Sequence, residues 1–150
     1  MHNADDFYIE DCISAIVQIK DIFDIDLSKC KLMNLEYGVN INPIINVTDL
    51  INNLIYHEKR QFTRPTTYFS FKLAGNEAYK QIKAYDKSVQ FPHECENTFR
   101  FEVRTRQFKF IKRLGLFTLQ DLTNIENYNA LIASILNEWD NVLLFDLSKD

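Results

Sequence analysis

Glycine and proline are scarce in this 150-residue chain, three of each, which argues for few tight turns. Cysteine is scarcer than a disulfide framework needs. Cys12, Cys30 and Cys95 are odd in number and widely spaced, a pattern that fits free thiols in a reducing compartment better than a zinc site. No apolar run approaches the roughly 20 residues of a spanning helix. The opening "MHNADDFYIED" lacks the basic and then apolar order of a secretory signal. A soluble, cytoplasmic protein with no membrane partner is the expectation.

What is present is ample apolar material, 46% against 25% charged residues, enough to build one domain with a real core. The net charge of −4 hides an asymmetry. Residues 59–113 hold 13 Lys+Arg against 5 Asp+Glu, or +8, while the remainder holds 4 against 16, or −12. A basic middle inside an acidic chain points to a local anion site.

Hydrophobic spacing predicts a helix from about Asp5 or Asp6 to Phe23, with Phe7, Ile9, Ile13, Ile16, Val17 and Phe23 inward. "KLMNLEYGVNI" alternates in its second half, as a half-buried strand does. "NVTDLINNLIYHEK" reads as an amphipathic helix capped by Thr48. "TTYFSFKL", the turn "AGNE" and "AYKQIKAYDK" read as a hairpin, and "TFRFEVRT" as a further strand. "RQFKFIKRLG" reads as a helix ending near Gly115. "TLQDL" is a helical turn, "NYNALIASILNEW" a helix and "NVLLFDL" a closing buried strand. The sum is α+β, a mostly antiparallel sheet with helices packed on one face.

Period two puts Tyr79, Lys83, Tyr85 and Lys87 on one side of their strand. The same rule groups Arg100, Glu102 and Arg104 on the next strand, and Glu36 and Asn40 on the first. Side by side, these would gather carboxylates, tyrosines and cations on one open face. Carboxylate and amide oxygens suit a hard divalent cation, a tyrosine can attack phosphorus, and Lys and Arg hold phosphate charge. An ordinary solvated sheet face shows the same alternation. A second basic stripe, Arg106, Lys109, Lys112 and Arg113, is spaced to line one helix face and to lie along a nucleic-acid backbone.

Three segments in order, "NLEYGVNI", "IKAYDKSVQF" and "FRFEVRTRQFKFIKRLGLFTLQDL", with the terminal "W…VL..D", resemble the replication initiators of rolling-circle plasmids and filamentous-type phages. The resemblance runs from about Phe7 to Asp146. It implies nicking and strand transfer on single-stranded or origin DNA, by a tyrosine that stays joined to the 5′ phosphate while a 3′ hydroxyl primes synthesis. It also implies a divalent metal, Mg²⁺ or Mn²⁺. Carried over, Glu36, Asn40 and Glu102 become metal ligands, and Lys83, Lys87, Arg100 and Arg104 phosphate contacts. Tyr79 and Tyr85 compete as nucleophile, Tyr79 having the Tyr-x-x-x-Lys spacing to Lys83. Many relatives also carry a His-hydrophobic-His pair. Here His2, His57 and His93 stand alone and read as surface or core residues. The chain is short for such an initiator, which implies a fragment of a longer one. The alternative is a non-catalytic DNA-binding or protein-interaction module, with homodimerisation through an exposed strand edge as a further expectation.

Overall fold

The strand Leu35–Ile41 (β1) pairs antiparallel with Phe99–Thr105 (β6), Leu35 opposite Thr105 and Ile41 opposite Phe99. From there the sheet extends strand by strand in a computed structural model that describes residues 7–63, 70–73 and 79–145. Beyond β6 come Gln81–Asp86 (β5), Ser70–Leu73 (β4), Arg60–Thr63 (β3), Leu54–His57 (β2) and Val142–Leu144 (β7). All six neighbouring pairs are antiparallel. The helices are Ile9–Phe23 (α1), Val47–Asn52 (α2), Lys87–Gln90 (α3), Phe108–Arg113 (α4) and Tyr128–Asp140 (α5). The class is α+β, as the mixed spacing implied. Among the described residues no helix is long and apolar enough to cross a membrane.

Alternation makes the two faces chemically different. Phe99, Phe101 and Val103 are fully buried on one face of β6, with Ile82 and Ala84 beside them on β5. Burial of each large side chain contributes about 1.5–3 kcal/mol. Across this face lies α5. Its Trp139 meets Phe101 edge to face at 5.2 Å and Phe99 at 5.8 Å, and the hydroxyls of Ser134 and Tyr37 are 2.8 Å apart. Burial pushes the Tyr37 phenol up to about 12, so that hydroxyl stays protonated. The other face of the same strands carries the polar set.

Several elements differ from the sequence reading. The first helix begins at Ile9, where the Asp11 carboxylate accepts from the Tyr8 N–H at 2.9 Å. Asp5 and Asp6 lie outside the described residues, and Val17 and Phe23 are exposed; the inward stripe is Ile9, Cys12, Ile13 and Ile16. The helix expected through Lys59 stops at Asn52, and its cap is Asn46, which accepts from the Thr48 N–H at 2.8 Å. Residues 54–57 pair instead with β3 across a two-residue turn and with the distant β7, and the β7 pairing is a non-local choice that local spacing does not reveal. The closing strand is a three-residue edge with Leu143 and Leu144 exposed, not buried. The "AGNE" turn lies outside the described residues. α4 is shorter than read, leaving Arg106 before it, and Gly115 follows with φ 77°, the left-handed conformation glycine adopts at little cost.

Candidate functional site

Register alone brings most of the expected face together. Glu36 stands opposite Arg104, Gly38 opposite Glu102, and Asn40 opposite Arg100. On the other side of β6, Gln81, Lys83 and Tyr85 stand opposite Arg104, Glu102 and Arg100. Glu102 therefore sits at the centre, 2% exposed. The close approach of β1 requires a glycine there. A Cβ on Gly38 would lie 2.6 Å from the Glu102 Cβ and 2.7 Å from the Phe101 carbonyl oxygen.

The buried carboxylate is held by cations. Lys83 Nζ donates to Glu102 Oε1 at 2.5 Å and to Glu36 Oε2 at 3.0 Å, bridging the two acids. Arg100 Nε donates to Glu102 Oε2 at 2.6 Å, and its NH1 to Asn40 Oδ1 at 3.0 Å. Burial pushes the Glu102 carboxyl up, but Lys83 and Arg100 outweigh it and hold it below the usual range. The Tyr85 hydroxyl donates to Glu102 Oε2 at 3.2 Å. Burial first, and the Glu102 charge second, raise its pKa well above that of a free tyrosine.

The donors expected to hold a metal, Glu36, Asn40 and Glu102, do not fit one. Both Glu102 oxygens, Glu36 Oε2 and the Asn40 oxygen already accept from Lys83 or Arg100. Lys83, Arg100 and Arg104 also outnumber the two carboxylates, leaving one positive charge in excess. A divalent cation would have to enter a site that is already cationic. Arg104 Nε is buried and makes no hydrogen bond; its nearest carboxylate oxygen, on Glu36, is 3.5 Å away.

Two expected members of the face are elsewhere. Tyr79 precedes β5, in a turn. Its ring packs edge to face on Phe110 at 5.4 Å, and its hydroxyl accepts from Arg113 NH1 at 2.8 Å. Arg113, not Lys83, holds that oxygen. Lys87 has left the strand altogether. Asp86 caps α3 by accepting from the Ser88 N–H at 2.9 Å, so Lys87 turns inward, 1% exposed, with its ammonium 5.7 Å from the Phe91 ring centre. It is a structural cation, not a phosphate contact. Arg106, Lys109, Lys112 and Arg113 are exposed, while Phe110 and Ile111 are buried beneath them.

A second polar cluster lies outside the expected set. His57, at the end of β2, is 1% exposed, and its Nε2 is 2.9 Å from Glu138 Oε2 on α5. Lys80 Nζ donates to both Glu138 oxygens, at 2.9 and 2.8 Å, and to Glu58 Oε1 at 3.0 Å. The signal in the sequence was Glu138 itself. It continues the buried stripe Tyr128, Leu131, Ile135 of α5, where a carboxylate is expensive without a partner. No protein-family model matches this chain, and neither a curated protein nor a solved structure matches it.

Proposed function

We propose that this chain binds the phosphate backbone of single-stranded or origin-type DNA through the polar face of β1, β6 and β5, extended by the basic residues at α4. The observation that carries the reading is the cationic excess on that face: three cations against two carboxylates, with a buried Arg104 N–H left without a hydrogen-bond partner. The Arg104 side chain as a whole is partly exposed, so its guanidinium can meet a phosphate oxygen, and a charge-assisted bond to guanidinium is among the stronger ones. Arg106, Lys109, Lys112 and Arg113 add sequence-independent, salt-sensitive affinity. The resemblance to rolling-circle initiators supports DNA as the anion.

The test is fluorescence anisotropy of a labelled single-stranded oligonucleotide over a salt series. Binding that weakens steeply with salt, and that weakens further in Arg104→Ala, supports the reading. Arg104→Ala binding with wild-type affinity and an unchanged salt slope would remove the face from it.

A second reading, strand cleavage, is favoured by one contact. Arg113 NH1 meets the Tyr79 oxygen at 2.8 Å, which puts a cation beside a nucleophile facing an anionic substrate. Tyr85 is the poorer nucleophile, because burial and Glu102 hold it protonated. In this reading the Tyr79 oxygen forms the new bond to phosphorus and its proton passes to solvent. The 3′ oxygen leaves and takes up a proton, and the 5′ phosphate stays on the tyrosine. A covalent protein–DNA band on a denaturing gel, absent in Tyr79→Phe and present in Tyr85→Phe, is the expected sign. Its absence from the wild type would leave a binding module alone.

A further inference from the structure

The His57 cluster is built differently from the sheet face. Two carboxylates, Glu58 and Glu138, surround one lysine, Lys80, with the buried His57 ring beside them. His57 Nε2, Glu58 and Glu138 offer one donor atom each, all within 4.8 Å of one another. One nitrogen and two carboxylate oxygens form the mixed donor set that borderline first-row ions accept and Mg²⁺ does not favour.

Two observations single this cluster out from an ordinary ion-pair network. His57 Nε2 is buried and makes no aligned hydrogen bond, its close neighbour being Glu138 Oε2 at the ion-pair distance of 2.9 Å. A buried ring nitrogen without an aligned hydrogen bond is a group that a bound ion would satisfy. The second observation is Lys80. Its ammonium contacts three carboxylate oxygens at 2.8–3.0 Å, which marks where a cation is already stabilised. Lys80 is tethered in the short segment before β5, and Glu58 is half exposed at the β2–β3 turn, so both can adjust. Donors on a tetrahedral Zn²⁺ lie about 3.3 Å apart for bonds of about 2.0 Å, a closure that a shift of the Glu58 side chain supplies.

We infer that His57, Glu58 and Glu138 form a binding site for a divalent first-row transition ion, Zn²⁺ matching best, and that the Lys80 ammonium is its built-in competitor. The site is independent of the DNA-binding reading. Zn²⁺ enters as Lys80 leaves, so the two cations exclude each other.

The experiment is a Zn²⁺ titration of the full chain against a chromophoric chelator, with circular dichroism as the fold control. The wild type takes up one Zn²⁺. Lys80→Met binds it about tenfold more tightly, because the competitor is gone, and Glu58→Gln about tenfold more weakly, because one charged oxygen is gone. Mg²⁺ at the same concentration does not compete. His57→Gln, being buried, risks the fold; Glu58→Gln, at a half-exposed turn position, keeps the test decisive. If neither wild type nor Lys80→Met binds Zn²⁺ stoichiometrically, the site does not exist. If Glu58→Gln and Lys80→Met both bind it with wild-type affinity, the ion sits elsewhere, and the inference fails equally.

Discussion

Replacing Glu102 by glutamine separates the two roles that this residue could have on the sheet face. As a counter-ion it secures Lys83 at 2.5 Å, Arg100 at 2.6 Å and the Tyr85 hydroxyl at 3.2 Å. At an effective dielectric of about 20, each close charge pair is worth about 5–6 kcal/mol of gross Coulomb energy near 3 Å, most of it offset by desolvation. Breaking a buried pair by removing one partner typically costs about 3–5 kcal/mol. Gln retains one acceptor oxygen but points an amide donor at a cation, and Glu36 still shares Lys83. A loss of about 3 kcal/mol follows, or roughly 6–12 °C in Tm for a domain of this size.

DNA affinity moves the other way. Glu102→Gln raises the excess on the face by one positive charge and frees Lys83 and Arg100 to meet phosphate. Binding of a single-stranded oligonucleotide tightens about five- to tenfold at low salt, and the salt slope steepens by about one. Thermal denaturation and anisotropy on the same preparation, below the transition, measure both effects. A residue serving as a metal ligand on an open face would behave differently, with stability nearly unchanged and DNA affinity lowered. A Tm within about 2 °C of wild type would therefore refute the counter-ion argument. So would weaker DNA binding by the folded variant.

Three further outcomes follow from particular contacts. Gly38→Ala places a methyl group against the Glu102 Cβ and the Phe101 backbone, neither of which can swing aside, so urea denaturation should show a loss of about 1–3 kcal/mol; no loss would mean that β1 and β6 part without cost. Lys109→Ala with Lys112→Ala removes two exposed charges and should flatten the salt slope of DNA binding by up to about two without changing Tm; an unchanged slope would take α4 out of the interface. The pH profile should fall at both ends. The folded pKa of Glu102 is lowered, so its contribution is present above the unfolded carboxylate value near 4.3 and is lost as pH falls through the folded one. Burial raises the folded pKa of Tyr37 to about 12, and burial with the Glu102 charge raises that of Tyr85, so their contributions are present below about pH 10 and lost as pH climbs above it. Denaturation midpoints measured from acid to alkaline pH check both limbs, and a flat profile above pH 10 would contradict the burial of the two phenols.

The polar face was legible because it rests on one local rule. Side chains alternate along a strand, and Glu36, Asn40, Lys83, Tyr85, Arg100, Glu102 and Arg104 all keep that parity in β1, β5 and β6. Lys87 keeps it on paper too. It was misplaced because a cap competes with a strand, and the Asp86 carboxylate, bonded to the Ser88 N–H, starts a helix one residue too early for the alternation to continue. Tyr79 was misplaced for a related reason, since β5 begins only at Gln81. The ends of elements are decided by side-chain-to-backbone bonds that hydrophobic spacing does not register. The element carrying His57, a strand and not a helix, is decided at longer range. "LIYH" has apolar residues that serve a helix or a strand equally, and pairing with β3 and with β7, far along the chain, decided the matter. Only then does His57 meet Glu138, 81 positions away.

The two clusters together give the charge asymmetry of the chain a structural meaning. A face that used a divalent cation to hold phosphate would keep its carboxylates free for that ion, yet Glu36 and Glu102 are bridged by Lys83. Their negative charge therefore serves to hold lysine and arginine in place, and the uncompensated charge left over is positive. At the His57 cluster the assignment reverses, because two carboxylates surround one lysine and a buried histidine nitrogen makes no hydrogen bond. The two sites meet in sequence at Tyr79 and Lys80. Tyr79 is tied to Arg113 and through it to the basic α4, while the next residue is the cation that an incoming metal would displace. A metal ion at the His57 cluster would thus free the lysine next in sequence to Tyr79, which joins the proposed metal site to the proposed DNA face by one peptide bond.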